Sequence, residues 1–458
     1  TSTNEWVFRA AVNGEGNNDK TGQAIALSAD GAVLAIGEKN YDVSNVGRMR
    51  VFAWDGAQYV LRDKALSGNG PNDYAGASVA LSADGSIAAM GVTGFDGERG
   101  RVYVFVWDAA GDFWDNRGPD GDLDGYDGGD HFGISVALSN DGAVLAIGAR
   151  GHSPPGTVQG GLARVFVWNN NGYWDPRGNV VLGTADHDQV GLAVDLNADG
   201  TVLAVGDLLY GLNDPAHNER GRVIVYAYNN GNNEWDRRGQ ELHGEANGDR
   251  GGSALQLNAD GTVLVAGAKN NDPAGLGNAG HARVWAYDGA QDQWNQIGDD
   301  LDGPVPDAWH GFAVGISADA TVVAVAAVEH PPAEGSVRVY FAEYHSSPPP
   351  SARRLSELQQ QQWFSVGDDA LVAAGGSDAP VELPWPLLAA SPVGTPAIQR
   401  YAPELEVYPR NFAVTQGPSG VVYVGNAEGV LSFDGTRWRL HRVNDQELVR
   451  TLAHDGGD

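Results

Sequence analysis

The chain has 458 residues, of which 29 are Lys or Arg and 59 are Asp or Glu, so its net charge is −30. A surface this negative repels nucleic-acid phosphates and anionic lipid headgroups, which excludes both as main partners. The absence of cysteine excludes disulfides, thiolate metal sites and a cysteine nucleophile. With 64 glycines and 42% hydrophobic residues, the composition predicts a turn-rich β protein with a well-formed core. No apolar run approaches the roughly 18 residues that span a bilayer, so we expect no membrane insertion.

A short apolar segment that ends in an Asp-containing turn recurs six times along the chain. The turn aspartates are Asp30, Asp84, Asp141, Asp199, Asp260 and Asp319. Their spacings of 54 to 61 residues predict one supersecondary unit repeated six times.

Each unit is predicted to contain four short strands, as the third unit illustrates. Residues 135–139 form its first strand, 144–149 its second and 164–168 its third, while its fourth begins at Trp174. Asn140 and Asp141 suit a type I turn between the first two strands, and Gly142 supplies the left-handed residue that lets the hairpin close.

The third strand of each unit carries valine on one face and large aromatic rings on the other. In the third unit these residues are Val165, Phe166 and Trp168. Because the pattern recurs in every unit, it favours packing between neighbouring sheets. A stacking platform for sugars or bases is the functional alternative.

Four-stranded units of this length predict an all-β, six-bladed β-propeller. Unit six has no fourth strand before the Ser/Pro run at 346–350. The N-terminal pattern of Trp6, Arg9, Gly14 and Asp19 matches the fourth-strand pattern of other units. We therefore predict that residues 5–12 pair beside residues 336–343 and close the ring.

Phe132-Gly133, followed by residues 135–138 and 145–149, resembles the FG-GAP repeat of integrin α-subunit propellers. The resemblance covers roughly residues 1–345. It implies an extracellular, cell-surface or periplasmic protein used in adhesion or recognition. The calcium loops of integrin-type repeats are reduced here to tight Asp-Gly turns, so we expect no Ca²⁺ at the six turns and no other cofactor.

One acidic loop is a candidate calcium site. It contains Asp120, Asp122, Asp124 and Asp127, the first three on alternate residues before a glycine. That spacing resembles the start of a calcium-binding loop. An acidic surface loop without a metal is the alternative.

Aspartates also recur just before each first strand. They are Asp19, Asp73, Asp130, Asp188, Asp249 and Asp307. Their repetition predicts Asx-type turns that bond nearby backbone N–H groups. These turns should share a face with the variable loops between strands two and three, so the predicted binding face comprises Asp73, Asp130, His131, His152, Asp188, Asp249 and Asp307.

The C-terminal quarter has a different composition. Residues 346–410 read as a Ser/Pro-rich linker and irregular segment, with a short helix predicted over 353–362. Residues 411–458 contain four short strand patterns that resemble the propeller repeat of bacterial two-component regulators. They predict one further blade-like unit, either the start of a truncated second propeller or a unit docked on the first ring.

The sequence contains no His-Glu-x-x-His, Gly-x-Ser-x-Gly or phosphate-loop motif. We therefore predict a non-catalytic recognition or adhesion scaffold, monomeric, that binds a protein or glycan. Two alternatives remain open: a ligand-sensing input region of a two-component-type receptor, and a polysaccharide-active lyase or hydrolase.

Overall fold

The computed structural model describes residues 11–16, 19–119, 123–169, 171–212, 218–328 and 335–343, and six later strands. It confirms an all-β propeller built from antiparallel four-stranded meanders. The six repeat units form six sheets, and the further C-terminal unit forms a seventh. Within the described part of the chain, no helix has the length and apolar composition to cross a membrane.

The sheets follow one another along the chain. The first contains β1 Ala24–Leu27, β2 Val33–Glu38, β3 Arg48–Trp54, β4 Tyr59–Leu61 and β5 Leu66–Ser67. The second contains β6 Ala75–Leu81, β7 Ile87–Val92, β8 Arg101–Asp108 and β9 Phe113–Asn116, with one helical turn, α1, at Phe95–Glu98. The third contains β10 Ser135–Leu138, β11 Val144–Ala149, β12 Leu162–Trp168, β13 Trp174–Pro176 and β14 Val181–Leu182.

The later sheets repeat this order. The fourth contains β15 Val190–Leu196, β16 Val202–Asp207, β17 Arg222–Asn229, β18 Glu234–Arg237 and β19 Leu242–His243. The fifth contains β20 Gly251–Leu257, β21 Val263–Ala268, β22 His281–Asp288, β23 Gln293–Gln296 and β24 Leu301–Asp302, with a 3-10 turn at Pro273–Gly275. The sixth contains β25 Ala313–Ile316, β26 Val322–Ala327, β27 Ser336–Glu343 and β28 Gln362–Ser365. The seventh contains β29 Asn411–Gln416, β30 Val422–Asn426, β31 Gly429–Phe433 and β32 Trp438–Arg442, followed by β33 Leu452–Ala453.

The first strands of the sheets line the centre of the ring. Each of β1, β6, β10, β15, β20 and β25 contacts the next. Strand β29 contacts both β25 and β1, and β33 pairs in parallel with β1. The C-terminal unit therefore contacts sheets one and six of the ring. The domain boundaries stay a prediction.

The outer strand of sheet six comes from the C-terminal side of the chain. Trp363 in β28 lies opposite Ala342 of β27, as Trp174 lies opposite Trp168 in sheet three. The prediction that the N-terminal segment supplies this strand is corrected here. The helix predicted over 353–362 lies outside the described residues except for Gln362, which begins β28. Residues 1–10 and most of the predicted linker lie outside the described residues. Val12 packs against an apolar cluster drawn from sheets one and six.

Close contact between neighbouring sheets explains much of the glycine content. A Cβ at Gly148 in β11 would lie 1.9 Å from the carbonyl oxygen of Gly191 in β15. The same contact recurs at Gly37, Gly91, Gly206 and Gly267, at 2.0–2.3 Å. A side chain at these positions would push two sheets apart.

The aromatic face predicted for the third strands packs against the fourth strands and the neighbouring sheet. Trp168 contacts Trp174 edge-on with ring centroids 5.3 Å apart. Arg117 of sheet two lies 4.9 Å above Trp168 of sheet three, and Trp174 Nε1 donates a hydrogen bond to the Arg117 carbonyl. These rings hold sheets together, which favours packing over a ligand platform.

One face of the ring, which we call the turn face, carries the six Asp turns. Asp141 Oδ1 accepts hydrogen bonds from Ser139 Oγ and from the Ala143 amide, at 2.6 and 2.9 Å. Backbone amides link each turn to the next around the ring, through Ala29, Ala83, Asn140, Ala198, Ala259 and Ala318. The aspartates therefore do the turn chemistry that the sequence predicted.

Candidate functional site

The opposite face, which we call the loop face, is organised by buried aspartates. Those in the Asx-type position are Asp19, Asp73, Asp130, Asp188 and Asp249, all at most 7% exposed. Asp73 Oδ2, for example, accepts the amides of Asn69 and Gly70 at 2.8 Å. The carbonyl of each aspartate also receives an amide from the following loop between strands two and three. The two sets of loops thus share one face, as predicted.

Asp307 is an exception to this pattern. It is exposed, and the fully buried residue before the first strand of sheet six is Ala308. Asp307 instead accepts a hydrogen bond from Asn278 Nδ2 at 3.1 Å. The predicted ring of six structural aspartates is therefore corrected to five, because unit six carries Ala308 at the equivalent position, three residues before Gly311, and Asp307 lies one residue earlier.

The residue that follows each Asx position has a left-handed backbone, with φ between 53° and 61°. All six are half-buried, and each has different chemistry. They are Lys20, Tyr74, His131, Gln189, Arg250 and Trp309. Because first strands run along the centre of a propeller, these residues surround the loop-face end of the channel. Aromatic faces and hydrogen-bonding groups in one ring suit a polar, ring-shaped ligand.

Sheet three brings two of the predicted binding-face residues into direct contact. Asp130 Oδ2 lies 3.0 Å from His152 Nδ1 and also accepts the amides of Tyr126 and Asp127. An ionised carboxylate only accepts hydrogen bonds, so the imidazole proton lies on Nδ1 and His152 Nε2 is left as an acceptor. The His152 side chain keeps 11% of its surface exposed, and the hydrogen bond that fixes it is made through Nδ1.

A second histidine stands beside this pair. His131 Nε2 lies 3.9 Å from Glu98 Oε2 on α1. Burial and the nearby charge of Arg150 lower the pKa of His131, against the influence of Glu98. His131 is therefore neutral at pH 7 and able to accept a proton.

Sheets one and four contain buried ion pairs at equivalent positions. Glu38 ends β2 and pairs with Arg48 and Arg50, while Asp207 ends β16 and lies 2.8 Å from Arg222 Nε. Burial raises the pKa of Asp207 to about 8 despite Arg222, and Asp188 and Glu241 add to the rise. The arginines of both clusters contact carboxyl groups of the protein, which favours a structural role.

Sheet five differs at the same position, because its third strand begins with His281. His281 Nδ1 lies 3.9, 3.7 and 3.8 Å from carboxylate oxygens of Glu245, Asp300 and Asp302. Burial, followed by the charge of Arg283, lowers the pKa of His281 to about 4. Burial and its two acidic neighbours raise the pKa of Asp302 to about 6. Sequence analysis missed this cluster, since nothing marks a histidine at a strand start as a site residue.

The predicted calcium loop lies partly outside the described residues, which omit Asp120 and Asp122. Asp127 is exposed. Both oxygens of Asp124 face arginines, Arg99 and Arg101, which compete with a cation for the same lone pairs. The calcium site stays a prediction.

The central channel contains one ionisable group near the turn face. Asp195 takes the channel-facing position that Ala80 and Ala137 hold in other sheets, and its Oδ2 accepts the Leu257 amide at 2.7 Å. Burial raises the pKa of Asp195 to about 7. The cavity here is about 80 Å³. That is room for water and not for a sugar, since ligand pockets usually measure about 300–1,000 Å³.

No protein-family model matches the sequence, and no curated protein sequence matches it. Solved structures do show a similar fold. A protein of Bacteroides uniformis named as a 6-phosphogluconolactonase is 13% identical and covers 70% of this chain and 81% of its own, at a TM-score of 0.46. One from Bacteroides fragilis with the same name is 14% identical, with 70% and 80% covered and a TM-score of 0.46. The periplasmic gluconolactonase of Pseudomonas aeruginosa is 16% identical, with 70% and 81% covered and a TM-score of 0.46.

At such identities the likeness extends to the fold alone. All three structures nevertheless carry the names of lactone-cleaving enzymes, whereas the sequence predicted a non-catalytic recognition scaffold. These names agree with the hydrolase alternative and not with the predicted non-catalytic scaffold, which is corrected to that extent; they establish no activity for this chain. The resemblance to FG-GAP repeats stays a prediction, because no family model matches.

Proposed function

We propose that the chain is a hydrolase whose general base is His152. The observation that carries this proposal is the 3.0 Å contact between Asp130 Oδ2 and His152 Nδ1. A carboxylate held on one imidazole nitrogen fixes the tautomer and orients the other nitrogen for proton transfer. Asp130 is itself held by two backbone amides, so the pair is rigid before any substrate binds.

The chemistry needs only a water molecule and an electrophilic carbon. His152 Nε2 takes a proton from water as the water oxygen attacks an ester, lactone or glycosidic carbon, and Asp130 stabilises the imidazolium that forms. The proton then passes to the leaving oxygen. Neutral His131 is a second proton acceptor on the same face.

Other half-buried residues of the loop face support a carbohydrate-derived substrate. Tyr74 and Trp309 supply aromatic rings there, and Gln189 and Lys20 supply hydrogen-bond donors. The cavity near the turn face is too small for such a molecule, so the substrate would lie on the loop face. The resemblance of the repeats to extracellular and periplasmic propellers supports a location outside the cytoplasm.

The test is a hydrolysis assay of the full chain on sugar lactones, aryl glycosides and aryl esters. Proton release or released phenol measures the rate. We expect turnover of at least one class, and a loss of about 100-fold or more in kcat for H152Q. D130N should lower kcat with little change in KM, because the amide no longer fixes the tautomer.

The matched control is H187Q on the same face. His187 bonds Gln159 Oε1 at 3.1 Å and contacts no carboxylate of the proposed site, so its loss should leave kcat unchanged. Equal rates for H152Q and the unaltered chain, or no turnover of any class above the buffer rate, would contradict the proposal.

A further inference from the structure

We infer that sheet five holds a divalent metal ion between Glu245, His281 and Asp300, with Asp302 as a further oxygen donor. One oxygen of Glu245, one oxygen of Asp300 and a ring nitrogen of His281 all lie within 4.8 Å of one another. Two ligands bound to one ion at roughly 2.0–2.4 Å stand about 3–4 Å apart, and the 3.7–3.9 Å separations meet that requirement with small adjustments.

The buried histidine is the second observation that points to a ligand. The His281 side chain is 1% exposed, and its Nδ1 has no hydrogen-bond partner among the described residues although it faces three carboxylates. A buried polar atom left without a hydrogen bond is costly, so its retention at the centre of an acidic cluster favours a bound cation.

In sheet one, the positions equivalent to His281, Arg283 and Glu245 carry oppositely charged side chains that pair with one another. Arg48 begins β3 as His281 begins β22, and it lies 2.9 Å from Glu15, the counterpart of Glu245. Arg50, the counterpart of Arg283, lies 3.3 Å from Glu15. Sheet one thus has two arginines where sheet five has one arginine and an imidazole.

The charges of sheet five do not balance without an added cation. Glu245, Asp300 and Asp302 contribute −3 and Arg283 contributes +1. Arg338 of sheet six adds a second positive charge at the Asp302 backbone carbonyl, so negative charge remains in excess. A divalent ion offsets that excess. One imidazole nitrogen with two or three carboxylate oxygens suits Zn²⁺ or Mn²⁺ better than Ca²⁺ or Mg²⁺, which prefer all-oxygen sites.

Metal binding would rearrange one contact. Arg283 Nε donates to His281 Nε2 at 3.3 Å, which places the imidazole proton on Nδ1. Coordination through Nδ1 requires the proton on Nε2, so Arg283 turns to Glu245 and Asp300, each 3.8 Å away. Side chains of Glu245 and Asp302 are about half exposed, which leaves the ion a path from solvent.

The experiment is titration of the full chain with Zn²⁺ by calorimetry and with Mn²⁺ by electron paramagnetic resonance, in excess Mg²⁺ to saturate weak acidic sites. We expect one tight site per chain and a melting temperature raised by several degrees at saturation. E245Q and D300N should each weaken binding at least tenfold. Both change partly exposed side chains, so folding is retained.

E15Q is the matched control, because it removes the equivalent carboxylate of sheet one. It should leave the affinity for Zn²⁺ unchanged, and R283Q should raise it by removing a competing cation. Absence of tight binding to the unaltered chain overturns the inference. So does tight binding that survives both E245Q and D300N, since the ion would then lie elsewhere on the acidic surface.

Discussion

The turn face and the loop face are two ends of the same repeated strands, yet they differ in kind. On the turn face every unit uses one small set of residues: Asp84, Asp141 and Asp319 each accept a serine hydroxyl and a backbone amide. On the loop face the backbone repeats just as closely, but equivalent positions carry different side chains. Repetition of side chains therefore marks the stabilising face, and divergence on a common backbone marks the candidate functional face.

The largest expected effect comes from the contact that sets the spacing of the sheets. G148A should lower the free energy of unfolding by about 3 kcal/mol, because its Cβ would meet the Gly191 carbonyl of the next sheet. Chemical denaturation measures this. In sheet six the residue equivalent to Gly148 is Ala326. A326G should therefore lower the free energy of unfolding by only about 0.5–1 kcal/mol, the usual effect of glycine within a strand. Equal costs for the two variants would mean that the spacing is not set by this contact.

A smaller effect is expected within one Asp turn. D141A removes the acceptor of the buried Ser139 hydroxyl and of the Ala143 amide, so it should lower the free energy of unfolding by about 1–2 kcal/mol. D141N keeps an oxygen acceptor, so it should lower the free energy of unfolding by less than about 0.5 kcal/mol. If D141A unfolds at the same denaturant concentration as the unaltered chain, the Asp turns do not stabilise this face.

The third effect depends on pH and disappears near pH 4. The pKa of Asp195 is about 7 in the folded chain, and an unfolded Asp has a pKa of about 3.9. The unfolded state therefore releases its proton first as the pH rises from 4 to 7, and folding stability falls over that range. D195N carries no proton to lose, so its free energy of unfolding should exceed that of the unaltered chain at pH 8, by at least about 1 kcal/mol and by about 4 kcal/mol for the full shift, and match it near pH 4. A difference that does not vary with pH would contradict the raised pKa.

Much of the architecture could be predicted because the period of the repeat is strong and each unit carries the same turn and aromatic residues. The fourth strand of unit six was missed because Trp363 follows a Pro-rich segment. Its Gln-Trp pair, matched by Gln293-Trp294 in unit five, was the available signal. Trp6 was chosen instead because it fits the same pattern.

The candidate site was only partly predictable. Sequence analysis placed Asp130 and His152 on one face, but only the folded loops show that they are in contact. Asp195 and His281 were missed because each occupies a strand position where other units carry a residue of different character, and a single substitution within a strand pattern does not reveal a charge. The distance between two side chains on this face depends on how the loops pack, and these loops differ in length between units, so the sequence alone does not give it.

The most direct test that the loop face is functional and the turn face is stabilising compares the hydrolysis rates of H152Q and D141A. Both rates are measured below the unfolding temperature of each variant. The account predicts that H152Q loses about 100-fold or more in kcat while remaining folded, and that D141A keeps its rate despite its lower stability. Retained activity in H152Q, or an equal loss of activity in D141A, would contradict it.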